Sequence, residues 1–274
     1  IEELERYQFE KLKNFLIFVN KYSPYYNELF NEIEFNPETL KSIGDIKLIP
    51  VMDKNILLNN ISDIHSNFAF NKLIYSETSG TSGQTLKFYK NEEWDSHNRA
   101  AILRGYSLYG IKPWDFNGYL WGYNFSKYET LKTTILDFLQ NRIRLFSYEE
   151  EEIKRFIKKI ENASYLHGYS SMIYEIAKNV NSLKLKDNFN LKMIKGTSEK
   201  IYPSYQDEVR EAFGTKIISE YGAAETGVIA SECKFGNMHI NIENVIVEEE
   251  KGEIIVTNLL SKSFPIIRYK LGDF

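Results

Sequence analysis

A single cysteine, Cys233, in 274 residues leaves nothing from which to build an internal disulfide framework and suits a reducing compartment. Positive charge is not in excess: 34 Lys and Arg against 38 Asp and Glu give a net charge of −4, so no global basic field favours nucleic acid. No uninterrupted apolar run approaches the roughly 18 residues that a membrane span needs, and the N-terminus lacks a signal-peptide pattern. These gaps point to a cytoplasmic chain with neither a nucleic-acid partner nor a membrane span. Internal repeats and low-complexity tracts are missing too. What the chain has is apolar mass, 43% hydrophobic, enough for a large core and more than one subdomain.

Small and hydroxyl residues concentrate in one segment, Thr78-Ser79-Gly80-Thr81-Ser82-Gly83-Gln84-Thr85. Gly80 and Gly83 let the backbone take positive φ and bring N–H groups close to an anion, and Thr78, Ser79, Thr81 and Ser82 can each donate to phosphate oxygens. Lys72–Tyr75 and Leu86–Tyr89 read as the strands of a flanking hairpin. A Walker loop is excluded, because Gln84 follows the second glycine and no lysine precedes Thr85. Taken alone, the segment is equally an ordinary Gly/Ser turn.

Periodicity predicts an α/β protein. Ile1, Leu4, Gln8, Leu12, Phe15, Leu16 and Val19 fall at helical spacing over the first twenty residues, and Ser23-Pro24 ends that helix. Beyond the hairpin, helices are expected at 94–108, 128–140, 148–161, 171–180 and 203–213, the third with Ser147 and Glu150 as a capping box and the last closed by Gly214. Strands are expected at 117–123, 163–167, 191–195 and 215–219, with a short apolar stretch at 143–146. Strands separated by helices imply parallel βαβ layers. From about residue 238 the order changes, and 240–248 and 252–258 read as a hairpin around Glu250-Lys251-Gly252 in a small barrel-like subdomain. The expected organisation is thus a helical region at 1–70, an α/β core at 71–237 and a β-rich subdomain at 238–274.

Two further segments follow the hydroxyl loop: Ile217-Ile218-Ser219-Glu220-Tyr221-Gly222-Ala223-Ala224-Glu225-Thr226-Gly227, and Pro265-Ile266-Ile267-Arg268-Tyr269-Lys270-Leu271-Gly272-Asp273. With the loop at 78–85 they resemble the adenylate-forming (AMP-binding) superfamily of acyl and aryl coenzyme A ligases. Within it the chain is similar to the phenylacetate–coenzyme A ligase branch and its CapK-like proteins of capsular polysaccharide biosynthesis, on Tyr22–Tyr26, Leu48–Lys54 and Tyr165–Ser171. The resemblance covers nearly the whole chain. It implies the large N-terminal domain of that ligase fold and a reaction in which a small-molecule carboxylate and ATP give an acyl-adenylate and pyrophosphate. The acyl group then passes to coenzyme A, another thiol or an amine such as an amino sugar.

That chemistry needs groups to hold base and ribose, to neutralise phosphates with a divalent cation, and to bring two anions together. Tyr221 offers a flat face for adenine, and Glu225, spaced one helical turn on, a hard oxygen ligand for Mg²⁺. By resemblance, Asp273 takes the ribose hydroxyls, Gly196-Thr197-Ser198-Glu199 borders the adenine, and Glu220 and Gly222 flank the stacking tyrosine. Both Gly196-Thr197 and Tyr221-Gly222 fall at carboxyl ends of expected strands, where open α/β sheets bind ligands. Thr78 and Glu225 are the candidate catalytic residues. Each alone has a plainer reading, as one of nineteen tyrosines, a solvated carboxylate or a common turn pair. Their joint order favours the site.

Cys233 and His239 match half of a zinc clip found in some relatives, two ligands where structural zinc usually takes four, or else are a buried cysteine and a polar histidine. His167, Tyr169, Trp121, Tyr123 and Phe125 are candidate acyl-pocket walls or simply core. Family members continue through a hinge into a small C-terminal domain carrying the adenylation lysine. The sequence given stops at Phe274, so no residue in it takes that lysine's role; the expectation is a tail that lies beyond this sequence, with a reduced homologue as the alternative. The chain as given is expected to bind ATP and catalyse poorly. A degenerate nucleotide- or carrier-protein-binding module is the alternative.

Overall fold

In the computed structural model of this chain, residues 2–78, 85–121, 126–185 and 189–272 are described. Helix α1 (Glu2–Tyr22) buries Leu12, Phe15, Leu16 and Val19 along one stripe. Pro24 occupies the first turn of α2 (Pro24–Glu32), where its missing N–H costs nothing. Short helices α3 (Lys54–Asn59) and α4 (Ile61–Ile64) lead to the antiparallel pair β1 (Leu73–Glu77) and β2 (Lys87–Asn91), with Leu73 opposite Asn91. After α5 (Glu92–Ser107), strands and helices alternate: β3 (Asn117–Leu120), α6 (Lys127–Leu139), β4 (Arg142–Arg144), α7 (Glu150–Lys159), β5 (Tyr165–Tyr169), α8 (Ser170–Ser182), β6 (Met193–Thr197), α9 (Pro203–Phe213) and β7 (Ile217–Ala223). Then only strands follow: β8 (Gly227–Glu232), β9 (Met238–Ile240), β10 (Val245–Glu250), β11 (Glu253–Asn258) and β12 (Ile266–Lys270).

The capping box expected from Ser147 and Glu150 does not form. Glu149 takes the N-cap position of α7, and Ser147 Oγ accepts from the Glu149 N–H at 3.1 Å. Three acidic residues, Glu150 to Glu152, fill the first turn instead and complement the helix dipole. A capping box stands at Ser126 and Glu129, before α6.

The chain divides into two units. The first comprises residues 1–101, 222–230 and 240–274, the second 102–221 and 231–239. Both are discontinuous in sequence.

The second unit is built on parallel strands in the order β4-β3-β5-β6-β7. Alternation along each strand gives the two faces different chemistry. Leu120, Leu166, Ile194 and Ile217 turn to one face and pack with Phe156 and Ile157 of α7, Ile173 of α8 and Phe213 of α9. Each such fully buried side chain is worth about 1.5–3 kcal/mol relative to exposure. Gly118 belongs to that face, where an added Cβ would lie 2.4 Å from Leu166. The other face carries Asn117, Tyr119, Tyr165, His167, Met193 and Lys195, with Tyr106 of α5 and Ile111 against it. Gly214, at φ 69°, closes α9 as expected.

In the first unit, Leu12, Phe15 and Leu16 share a core with Phe30, Phe88, Trp94 and Phe264. It also holds a three-stranded antiparallel sheet in the order β10-β11-β12. Lys251 and Gly252, at φ 56° and 83°, form the two-residue turn that joins β10 to β11, with Glu250 paired to Glu253. β12 carries an irregularity near Arg268, whose φ is 46°, and pairs through Tyr269 with Met52.

Candidate functional site

The hairpin β1–β2 delivers both ends of the hydroxyl loop to one place. Thr78 N–H donates to Leu86 O at 3.0 Å, and Leu86 N–H donates to Thr78 Oγ1 at 3.0 Å. Thr78 therefore pins the loop base with its hydroxyl oxygen and keeps its hydroxyl hydrogen for donation. Ser79, Gly80, Thr81, Ser82 and Gly83 lie outside the described residues.

Glu225 is carried by the tight turn Ala224–Thr226 between two strands, not by the helical spacing expected. The turn leaves no room for side chains at its base: a Cβ on Gly222 would lie 2.2 Å from Gly227 O, and Gly227 has φ +74°. Ala223 N–H donates to Thr226 Oγ1 at 3.1 Å, and Asn258 Nδ2 donates to Thr226 O at 3.0 Å. Glu225 is thereby held at 7% exposure. Tyr269 Oη donates to Glu225 Oε1 at 3.0 Å. Burial pushes the Tyr269 phenol up, and the Glu225 carboxylate pushes it further, so it stays a protonated donor. Burial pulls the Lys90 ammonium down, against the opposing charges of Asp95 and Glu225. Next to Tyr269, Arg268 is anchored by Glu248 at 3.1 Å and by Ile49 O at 2.6 Å. Asp273 lies outside the described residues.

The second unit places the other candidates at neighbouring strand ends. β6 ends at Thr197, and Gly196 pairs with Ser219 of β7, two residues before Tyr221. Ser198 follows in the left-handed region, φ 62°, a strained conformation for a residue with a Cβ. Glu199 Oε2 accepts from Ser171 N–H at 2.8 Å, so this carboxylate caps α8. Glu220 is ion-paired with Lys195 at 2.8 Å, the two side chains 11% and 7% exposed. Burial alone would lower the Lys195 ammonium, but Tyr106 and Glu220 outweigh it and the net shift is upward. Tyr221 is half-buried on β7.

Strand order identifies a crevice as well. β3 connects outward to β4 and β5 connects the other way to β6, so the chain leaves their carboxyl ends in opposite directions, the arrangement in which α/β sheets bind ligands. At those ends Trp121 stacks on Tyr169 with ring centroids 4.5 Å apart. His167 lies one layer beneath: its Nε2 meets Asn117 Oδ1 at 3.2 Å and its Nδ1 meets Tyr106 Oη at 3.3 Å. Asn117 Nδ2 donates to the carbonyls of Asp115 and Asn141, so Oδ1 is its acceptor and His167 carries its proton on Nε2. Burial pushes this imidazole well below its usual range, helped by the charges of Lys195, Arg142 and Arg144. Tyr123 and Phe125 lie outside the described residues. Sequence reasoning missed Tyr106, Asn117, Lys195 and the two arginines; the available signal was polar residues inside apolar strands, as in Met193-Ile194-Lys195.

Cys233 and His239 do meet, by a side-chain hydrogen bond. Burial raises the thiol, but backbone hydrogen bonds to Phe235 and Asn237 and the His239 bond leave it lowered overall. Among the described residues no group of three His, Cys, Asp or Glu could hold a metal ion, and no helix is long and apolar enough to cross a membrane.

No family model matches this sequence. Protein CapK of Staphylococcus aureus is 24% identical over 294 residues, covering 99% of this chain and 62% of CapK. Among solved structures, 2-hydroxyisobutyryl-CoA ligase with 2-HIB-AMP and CoA in the thioesterification state matches with a TM-score of 0.79 at 20% identity, over 99% of this chain and 63% of that one. Its open conformation matches with a TM-score of 0.76 at 18% identity, over 98% and 64%. The chain therefore has the fold of the large part of an adenylate-forming CoA ligase and spans a little under two thirds of the length of these relatives.

Proposed function

We propose that this chain, similar in fold to adenylate-forming CoA ligases and in sequence to the CapK-like branch, is the nucleotide-binding part of an enzyme that activates a carboxylic acid with ATP. A carboxylate oxygen of the acid bonds to the α-phosphorus, pyrophosphate leaves, and the acyl-adenylate passes its acyl group to coenzyme A or another thiol or amine. The likeness to CapK supports a step in capsular or exopolysaccharide biosynthesis.

One observation carries the reading: the Tyr269–Glu225 hydrogen bond, at 3.0 Å, joins two motif segments 44 residues apart. Tyr269 fixes one carboxylate oxygen and so orients the other. A lone buried carboxylate of this kind fits Mg²⁺, which usually takes one or two carboxylates and keeps the rest of its shell for water and phosphate. Glu225 would hold it, and the ion when bound supplies neutralisation of phosphate charge. The loop at 78–85, tied at its base by Thr78 and Leu86, offers N–H and O–H donors to phosphate oxygens. Tyr221 and the Gly196–Glu199 loop, on adjacent strands, frame the base, and Asp273 takes the ribose. Trp121 and Tyr169 at the crevice are the proposed wall for the acyl group.

The test is carboxylate-dependent exchange of pyrophosphate into ATP by the full-length gene product, across a panel of aryl and short acyl acids. Exchange with any acid, lost in Glu225→Ala, is the expected result. Magnesium-dependent ATP binding without exchange across the panel would favour a degenerate binding module.

A further inference from the structure

The polar face of the second unit carries a charge that adenylation does not use. At the edge of the sheet, Arg142 and Arg144 stand two residues apart on β4 and so share a face. Both guanidiniums lie over the Tyr119 ring, 4.4 and 4.3 Å from its centroid. Asp137 of α6 serves both unequally. Arg144 takes it with two hydrogen bonds, 2.7 and 3.0 Å, whereas Arg142 approaches it only at 3.7 Å, beyond hydrogen-bonding distance. Arg142 spends its Nε on Asn117 Oδ1 at 3.3 Å. Among the described residues its two terminal nitrogens have no hydrogen-bond acceptor.

Asp137, 6% exposed, is thus taken up by Arg144, which leaves Arg142 with no hydrogen-bonded carboxylate among the described residues, and a partly desolvated charge without a close counter-charge is costly. Both arginines also reach His167, where they add to the effect of burial in keeping the imidazole neutral. The Arg142 side chain, 21% exposed, faces an open cavity of about 450 Å³ lined also by Tyr119 and Arg144 from the sheet and by Thr133, Leu136, Asp137 and Gln140 from the α6 side, the Asp137 carboxylate being held by Arg144. A planar guanidinium with unspent donors, beside an amide and a hydroxyl and against an aromatic plate, matches the paired oxygens of a carboxylate or phosphate. We propose that this cavity binds a small organic oxyanion, a carboxylate or a phosphate monoester, through the terminal nitrogens of Arg142, with the body of the ligand against Tyr119 and Leu136. None of the residues assigned above to nucleotide, metal or acyl group contributes to it, so this site and the adenylation reading stand or fall separately.

Calorimetric titration of the chain without ATP, with butyrate in one arm and methyl phosphate in the other, tests the site and identifies which oxyanion it takes. The expected result is saturable binding at one site in at least one arm, weakened about tenfold or more by Arg142→Gln, a loss of about 1.4 kcal/mol, and less by Arg142→Lys, which keeps the charge. Folding of Arg142→Gln is checked by circular dichroism. Gln140→Ala, outside the ion pairs, is the second variant and should weaken the same binding by a smaller factor. Binding that tolerates both Arg142→Gln and Gln140→Ala overturns the proposal, as does the lack of saturable binding in both arms.

Discussion

Tyr269 matters because a carboxylate at 7% exposure needs a donor, and the Tyr269 hydroxyl is the one given to Glu225 Oε1. Removing a single partner from a buried charged group costs about 1–3 kcal/mol or more. Tyr269→Phe is therefore expected to lower unfolding stability by about that much and to weaken magnesium-dependent ATP binding as the carboxylate loses its orientation. Glu225→Ala should weaken that binding further, read by calorimetry with and without Mg²⁺; unchanged affinity would remove the metal-ligand role. A double-mutant cycle of Tyr269→Phe with Glu225→Gln separates the pair from its parts, and additivity within about 0.5 kcal/mol would mean that the hydrogen bond couples nothing. The residue types at 225 and 269 were legible in the sequence, because two spaced motifs contain them. Their contact was not, since nothing local in either segment encodes a partner 44 residues away. The same limit hid Lys195 and Tyr106, whose polarity makes sense only once neighbouring strands put Glu220 and His167 beside them.

Elements were more readable than contacts. Apolar spacing gave α1, the hairpin β1–β2 and the βαβ alternation, because burial of one helix stripe or one strand face is a local property of the chain. Where competing local signals existed, the spacing misled. Ser147 and Glu150 have the separation of a capping box, yet α7 starts at Glu150 with Glu149 as its N-cap, two residues too late for Ser147 to be that cap. Glu225 has helical spacing from Tyr221, yet two glycines, Gly222 and Gly227, let strands β7 and β8 approach closely and make the intervening residues a turn. That approach yields a prediction for the element as a whole. A Cβ at position 222 would meet the Gly227 carbonyl at 2.2 Å, so Gly222→Ala should force the hairpin open and cost about 1–3 kcal/mol, read as a lower denaturation midpoint. Gly44→Ala is the control, because its Cβ would find Ser42 Oγ at an ordinary 3.5 Å. Equal midpoints for the two variants would mean that the hairpin has slack that these distances deny.

At the scale of the molecule, pH dependence distinguishes a fold that holds its histidines neutral from one that exposes them. His65, in the first unit, places Nδ1 on Ile61 O at 2.7 Å and accepts the Tyr89 N–H on Nε2 at 3.3 Å. His167, in the second, gives Nε2–H to Asn117 and uses Nδ1 as an acceptor for Tyr106. Burial is the leading cause that lowers both imidazoles from their usual 6.5. A base whose folded pKa lies below its unfolded one binds more protons when unfolded, so stability is present above pH 6.5 and declines as pH falls through that value. One imidazole kept neutral on folding contributes a slope of at most about 1.4 kcal/mol per pH unit in that window, and the more solvated His65 contributes less. Carboxylates held by hydrogen bonds, such as Asp45 and Glu129, start from 3.8 and 4.5 and are pulled lower, so they act in a more acidic range. Urea unfolding at pH 7.5, 6.5 and 5.5 should therefore show a loss across the lower interval that His167→Gln reduces by about one proton's slope. A slope unaltered by that substitution would mean that His167 takes up its proton in the folded chain, and that the arginine charge at β4 is screened from it.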